Sequence, residues 1–440
     1  MKRVLVLGAG YVSGPLVHYL SESAGYALVV ADVDAEKARM AAEAHSRVEG
    51  RRLDLQDEAA LGRAIDDADI VVSLVPYAFH PTVARLCIAR RKSVVTASYA
   101  SDAMKELDGA ARAAGVTLLN EMGLDPGIDH MEAVRIIHGI QAAGGRVEGF
   151  TSWCGGLPAP EANTNPFGYK FSWSPIGVLL AGTNEARYRK DGLDVLVPAR
   201  ELFARPAAVP VEDLTVFEGY PNRNSLPYID LYRIPETRTM LRGTLRYPGW
   251  CSTLKAMGDV GLLDRRERSL AGRTYLSFLA ELAGRPGAED VRGAVAERLG
   301  LDPADPVLER FAWLGLFDDT PLPKPQAAPL DILADLMVDR LKYAEGERDM
   351  IILQHTFEAV FPDGRRETIT SSLVDYGVPG GYSSMARTVG YPAAIGVRLL
   401  CEGRIVAKGA LIPTLPEIYE PVLRELNGLG IVFDERRVGA

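Results

Sequence analysis

The segment NEMGLDPGIDHM, residues 120–131, sets one carboxylate, Asp125, immediately before a Pro126-Gly127 pair. Such a pair makes a tight turn, which presents the preceding side chain instead of burying it, and a presented carboxylate can pass a proton to or from a bound molecule. Two more groups suit proton handling: Tyr99, which follows the apolar run VVTAS, and Cys154, which follows GFTSW. Each has a plain structural alternative, Asp125 as a turn cap, Tyr99 as a ring closing the core and Cys154 as a small buried hydrophobe. Cations suited to carboxylates stand in two polar, turn-rich segments, Arg223 in YPNRNSLPY and Arg246 in GTLRYPGW, with Lys170 in GYKFSW a weaker candidate. His80 and His130 read as helix-opening residues and Glu121 as a loop anchor, so none of the three joins the acid/base candidates.

A second constellation opens the chain. VLVLGAGYVSGPLVHYL, residues 4–20, is a β-branched run ending in Gly8-Ala9-Gly10 and passing into a helical pattern. This is the dinucleotide fingerprint: the first glycine permits the tight turn, and the second lets the backbone approach a pyrophosphate. The third small position is Ser13, with glycine one later at Gly14. Gly8, Gly10, Tyr11, Val12 and Ser13 are therefore the cofactor candidates of this loop. Asp32 ends the second apolar run, about 20 residues on, where a carboxylate favours an unphosphorylated ribose and hence NAD(H) over NADP(H). Asp32 or Asp34 can instead cap the helix that follows, and Lys37 or Arg39 can soften the exclusion. Ser73, Val75 and Pro76, in SLVPY, fall at the carboxyl end of a later strand, beside the expected cofactor.

These residues need a scaffold. To about Asn120 the chain alternates β-branched runs with helical stretches, which predicts a parallel sheet covered on both faces. Longer strands and Pro/Gly-rich connections follow, and from about Val260 to Tyr343 helical periodicity replaces strand signals. The predicted architecture is α/β: a Rossmann-type dinucleotide-binding domain (1–124 and 385–440), an α+β substrate domain (125–260 and 346–384) and a helical insertion (261–345).

Composition narrows the partners. The 440 residues are 47% hydrophobic and 24% charged, with a net charge of −9 and only short basic runs, which makes nucleic acid and anionic membrane surfaces poor partners. The four cysteines form no CxxC pair, and the apolar run at the start is a strand leading into glycines, which points to free thiols in a reducing cytoplasm. No stretch reaches the roughly 18 apolar residues of a spanning helix, and no clustered His/Cys pattern suggests a metal.

Taken together, GAGYVSGPL, SLVPYAFH, VVTASYAS, NEMGLDPGIDHM, CGGLPAPEANTNPFGYKFSWSP, GTLRYPGW and MARTVGYPAAI resemble the L-glutamate-forming saccharopine dehydrogenase (saccharopine reductase) family, from end to end of the chain. The resemblance implies NAD(P)H-dependent reduction of the imine of glutamate and 2-aminoadipate 6-semialdehyde to saccharopine, and the reverse. It implies that Ser98, Tyr99, Asp125 and Cys154 lie at the active site, that Arg223 and the run Thr244, Leu245, Arg246 bind a substrate with several carboxylates, and that the protein is a homodimer. Fungal members carry a basic residue after the second strand and use NADP(H), whereas this chain has ADVD. Alternatives are a related imine reductase such as carboxynorspermidine dehydrogenase, which Arg223 and Arg246 disfavour because a diamine calls for carboxylates, and a cofactor-binding sensor without catalysis.

Overall fold

The β-branched runs form strands wherever both faces can be buried. In the computed structural model, which describes residues 1–173 and 175–439, β1 (Arg3–Leu7) carries Val4, Leu5, Val6 and Leu7 at no more than 1% exposure. Both of its faces are therefore covered, as a parallel sheet requires. Ser174, within the YKFSWSP motif, lies outside the described residues.

Contacts divide the chain into two compact units. The first comprises Met1–Arg146, Phe361–Gly364 and Leu373–Glu435. Its sheet continues with β2 (Ala27–Asp32), β3 (Val48–Arg52), β4 (Ile70–Ser73), β5 (Ser93–Thr96) and β6 (Thr117–Leu119). Seven parallel strands are ordered Gly409–Leu411, β6, β5, β4, β1, β2, β3. The order reverses between β1 and β4, the switch point at which such sheets open a ligand crevice beyond their carboxyl ends. Leu5, Leu7, Val29, Val71, Leu61, Ile65, Val83 and Leu118 form the core on one face. On the other, the helix Ser384–Cys401 packs against the helix Ser13–His18 so closely that a Cβ at Gly390 would stand 2.8 Å from the Val12 carbonyl oxygen.

The second unit comprises Val147–Val360, Arg365–Ser372 and Arg436–Ala440. Its sheet runs Ala207–Pro210, Val216–Pro221, Thr239–Arg246, Arg146–Pro158, Asp349–Val360, Arg366–Tyr376, Asp434–Gly439, with a further hairpin, Ala186–Lys190 and Leu193–Val197, paired to Thr239–Arg246. The division departs from the expected one: 361–364 and 373–384 fall in the first unit, and 436–440 in the second. The first unit extends to Arg146 because the helix Ile128–Ala142 packs on Pro416–Gly428 of the same unit. The stretch 261–345 belongs to the second unit, with helices at Tyr275–Leu282, Val291–Leu299, Pro306–Leu314 and Pro329–Arg340, and a two-residue strand pair at Arg268–Ser269 and Gln326–Ala327.

Candidate active site

In the first unit, Gly8 adopts φ +101°, a conformation that a side chain resists, and a Cβ there would lie 3.0 Å from the Leu74 carbonyl oxygen just past β4. Gly10 is different: a Cβ there would meet nothing within 4 Å. One glycine is thus demanded by the protein, and the other leaves open space over the loop. Ser13 is buried, with its Oγ donating to the Gly10 carbonyl, 2.9 Å, while Tyr11 is 79% exposed beside it. The loop fits a dinucleotide: Gly8, Gly10, Tyr11, Val12 and Ser13 would hold the pyrophosphate, with Val75 and Pro76 lining the turn after β4. A nicotinamide bound there supplies or accepts hydride.

Asp32 is held by this loop. Its Oδ2 accepts the Ala9 N–H at 2.8 Å and its Oδ1 the Asp34 N–H at 2.9 Å. The helix cap falls to Asp34, whose Oδ1 accepts from Glu36 and Lys37. Arg52 pairs with Asp32 in the β2–β3 register, is exposed, and donates its Nε to the Val33 carbonyl, 3.3 Å. A cation therefore stands next to the carboxylate expected to exclude a 2′-phosphate.

The NEMGLDPGIDHM loop leaves β6 and returns into the helix Ile128–Ala142. Every residue from 116 to 134 is buried except Asp125. What holds it out is a buried frame. Glu121, at φ +61°, accepts the Ala100 N–H through Oε1 at 2.9 Å, and its Oε2 pairs with Nε2 of the fully buried His130 at 2.7 Å. Asp129 Oδ1 accepts the Gly127 N–H at 2.6 Å. Glu121 is thus the loop anchor it was expected to be, and His130 lies in the third position of its helix, with its ring on that anchor. On this frame Tyr99 donates its Oη to Asp125 Oδ1 at 2.6 Å, joining two of the acid/base candidates, with half-buried Ser98 adjacent.

In the second unit, Cys154 lies within the long strand Arg146–Pro158, not after a shorter one, and faces Thr244 directly in the parallel register with Thr239–Arg246. Alternation puts Arg242, Thr244 and Arg246 on one face of that strand and Leu245, fully buried, on the other. Gly219 and Gly243 make room for Trp153: a Cβ at either would stand within 2.7 Å of its ring. Arg246 is 4% exposed, with its guanidinium 4.9 Å from the Tyr169 ring centroid, 5.4 Å from Trp250 and 6.0 Å from Tyr220. Its Nη1 donates to the Leu245 carbonyl at 2.7 Å, and its Nε is buried without a hydrogen-bond partner. No ion pair of Arg246 occurs among the described residues. A buried guanidinium in an aromatic cage, with a donor to spare, is built to receive an anion.

The remaining candidates separate. Arg223 is exposed at φ +53°, with its carbonyl accepting the Arg187 N–H at 2.8 Å. Lys170 is committed elsewhere: its Nζ lies 2.6 Å from both oxygens of Glu347 and 3.1 Å from Thr164 Oγ1. Arg242, outside the candidates, is buried with its guanidinium 4.2 Å from the Tyr228 ring centroid, and the period-two spacing Arg242, Thr244, Arg246 carries its signal. His80, expected to open a helix, does so, and its ring also bonds Ser73 and Ser98. No group of three or more metal-ligating side chains occurs among the described residues, and no helix among them is long and apolar enough to cross a membrane.

Residues 4–119 match the saccharopine dehydrogenase NADP binding domain and residues 123–431 the saccharopine dehydrogenase C-terminal domain. The chain is 42% identical to saccharopine dehydrogenase [NADP(+), L-glutamate-forming] of Saccharomyces cerevisiae, over 99% of each chain. It is 40% identical to the enzyme of the same description from Pyricularia oryzae, over 97% of this chain and 96% of that one. The solved structure of a histidine-tagged saccharopine dehydrogenase (L-Glu forming) from Saccharomyces cerevisiae aligns with a TM-score of 0.92 at 41% identity, covering 100% of both chains.

Proposed function

The chain belongs to the saccharopine dehydrogenase family, and from that premise we propose that it interconverts saccharopine with L-glutamate and 2-aminoadipate 6-semialdehyde in lysine metabolism, using NAD(P)H. The observation that carries the substrate is Arg246, a buried cation with an unused N–H, which suits a molecule bearing several carboxylates and not a diamine. Glutamate nitrogen and the semialdehyde carbonyl carbon condense with loss of water; hydride reaches the imine carbon, and a proton completes the secondary amine. Tyr99 and Asp125, and more weakly Cys154, handle the protons of condensation. Arg246 and Thr244, with Ser98, Leu245 and Arg223, form the substrate contacts, and fixed orientation supplies much of the rate.

The cofactor preference is part of the same proposal. Asp32 favours NAD(H), because its charge opposes a 2′-phosphate even while its oxygens accept backbone N–H groups. Arg52 tempers that exclusion, so NADP(H) is the poorer cofactor and not a forbidden one. The four cysteines, far apart and without a CxxC pair, support a reducing cytoplasm, and the family resemblance supports a homodimer. Saccharopine supplied with NAD or NADP separately tests all but the last two: reduced nicotinamide should appear with both, with higher kcat/KM for NAD, and glutamate should be recovered. Turnover with NADP alone overturns the Asp32 argument and keeps the enzyme. Dinucleotide binding without saccharopine oxidation overturns the substrate.

A further inference from the structure

We propose that His80 is a positioning residue that orients Ser73 on the cofactor side and Ser98 on the substrate side of the sheet edge through one imidazole ring. This rests on the reading above for the identity of the two ligands. His80 opens the helix His80–Ala89 and is 3% exposed, with its ring aimed at the carboxyl ends of β4 and β5. Nδ1 lies 2.9 Å from Ser73 Oγ. Nε2 lies 2.9 Å from Ser98 Oγ and 3.1 Å from Thr96 Oγ1. The Ser98 N–H donates to Thr96 Oγ1 at 3.3 Å, which closes the cluster.

Three features set this apart from a satisfied core histidine. First, its ring partners are all hydroxyls, and burial pushes the imidazole down to about 4, so the ring is neutral at physiological pH. A neutral ring has one N–H and one lone pair, so its two nitrogens play opposite roles: when one side donates, the other accepts. Second, Ser73 directly precedes Leu74, whose carbonyl packs against Gly8 of the dinucleotide loop, so the hydroxyl at Ser73 steadies the turn that the cofactor touches. Third, Ser98 is half-buried where Ser73 and Thr96 are buried, so it is the member with a face toward the site. It adjoins Tyr99, the donor to Asp125, and its carbonyl accepts the Glu121 N–H at 3.2 Å.

Asparagine reproduces the reach of Nδ1 and glutamine that of Nε2, so two variants separate the two ends of the ring. His80→Asn keeps the Ser73 contact; it should raise the saccharopine KM about fivefold or more, the loss of one hydrogen bond, and leave the dinucleotide Kd within about twofold. His80→Gln should do the reverse, with the Kd read by quenching of intrinsic fluorescence on titration with NADH and NADPH. Combining His80→Asn with Ser98→Ala should give no more loss than Ser98→Ala alone. Parallel changes in both constants, no change in either, or multiplicative losses in the double variant would overturn the proposal and leave His80 a core residue. If neither His80 variant folds, Ser73→Ala and Ser98→Ala carry the same test, the first expected to move only the Kd and the second only the KM. Should the parent protein fail to oxidise saccharopine, the substrate reading falls, while the contrast in dinucleotide Kd between the two His80 variants still decides this one.

Discussion

Tyr99 and Asp125 share a 2.6 Å hydrogen bond at the one half-buried point of an otherwise buried loop, so their effects on catalysis should not be independent. Asp125→Asn is expected to lower kcat about 100-fold, the lower end of what a positioned acid/base group contributes. Tyr99→Phe should cost less, because the carboxylate stays on its loop and loses one hydrogen bond. The double variant should fall no further than Asp125→Asn alone; multiplied losses in steady-state kinetics would show two separate roles. Arg246 makes the opposite trade, since the free protein carries the burden of its burial. Arg246→Met should bind saccharopine at least about 100-fold more weakly, the order expected for charge-assisted bonds to a carboxylate, and by thermal denaturation it should melt no lower than the parent. A large drop in Tm would make Arg246 a structural cation. His80 gives a pH signature of stability. Its folded value, about 4, lies below the ordinary 6.5, so the unfolded chain binds the extra proton between those limits. Its contribution is complete above 6.5 and lost on acidification toward 4, up to about 3 kcal/mol. Chemical denaturation across that window should show a shallower fall for His80→Gln than for the parent.

The elements explain why some of this was readable and some was not. The strands β1, β2, β4 and β5 are apolar on both faces, and that signal survives without any tertiary knowledge. β3, whose residues are VEGRR, was missed because it is a polar edge strand, and Gly409–Leu411 because three residues carry no period. The hairpin Ala186–Lys190 and Leu193–Val197 was legible but unread: Asp191 and Gly192 at its tip take φ +51° and +86°, the backbone that an Asp-Gly pair supplies. Arg246 was marked by its motif, but its cage draws Tyr169, Tyr220 and Trp250 from distant segments, and no local pattern announces that convergence. The same contrast between local need and ligand need runs through the glycine loop. Gly8→Ala should destabilise the fold by about 1–2 kcal/mol, from its positive φ and the nearby Leu74 carbonyl. Gly10→Ala meets open space, so it should melt with the parent yet bind dinucleotide more weakly. If differential scanning calorimetry and fluorescence titration showed both variants losing stability and affinity together, the open space over Gly10 would have no bearing on the cofactor.

Across the whole molecule, the two sets of candidate residues fall in different compact units. Gly8 to Ser13, Asp32, Ser73, Val75, Pro76, Ser98, Tyr99 and Asp125 lie in the first, and Cys154, Arg223, Thr244, Leu245 and Arg246 in the second. The first unit is built from three separated segments, so its seventh strand, Gly409–Leu411, joins β6 only after Val147–Val360 and Arg365–Ser372 of the second unit have been synthesised. Closing that long loop costs entropy but grows only slowly with length, which is why so large an interruption is tolerable. A ligand that binds the folded state alone stabilises whatever it touches, by about 2.7 kcal/mol at 100 times its Kd. Hydrogen exchange read by mass spectrometry should therefore resolve the two ligands. NADH should slow exchange in 3–32 and in the 74–76 turn, with little change around 239–246. Saccharopine should slow exchange at 239–246 and in the 150–158 stretch that carries Cys154. Protection by saccharopine confined to the first unit would remove Arg246 from the site, and protection by NADH confined to the second would remove the glycine loop. Because the two outcomes fall in different stretches of chain, a single experiment can sink either assignment without touching the other.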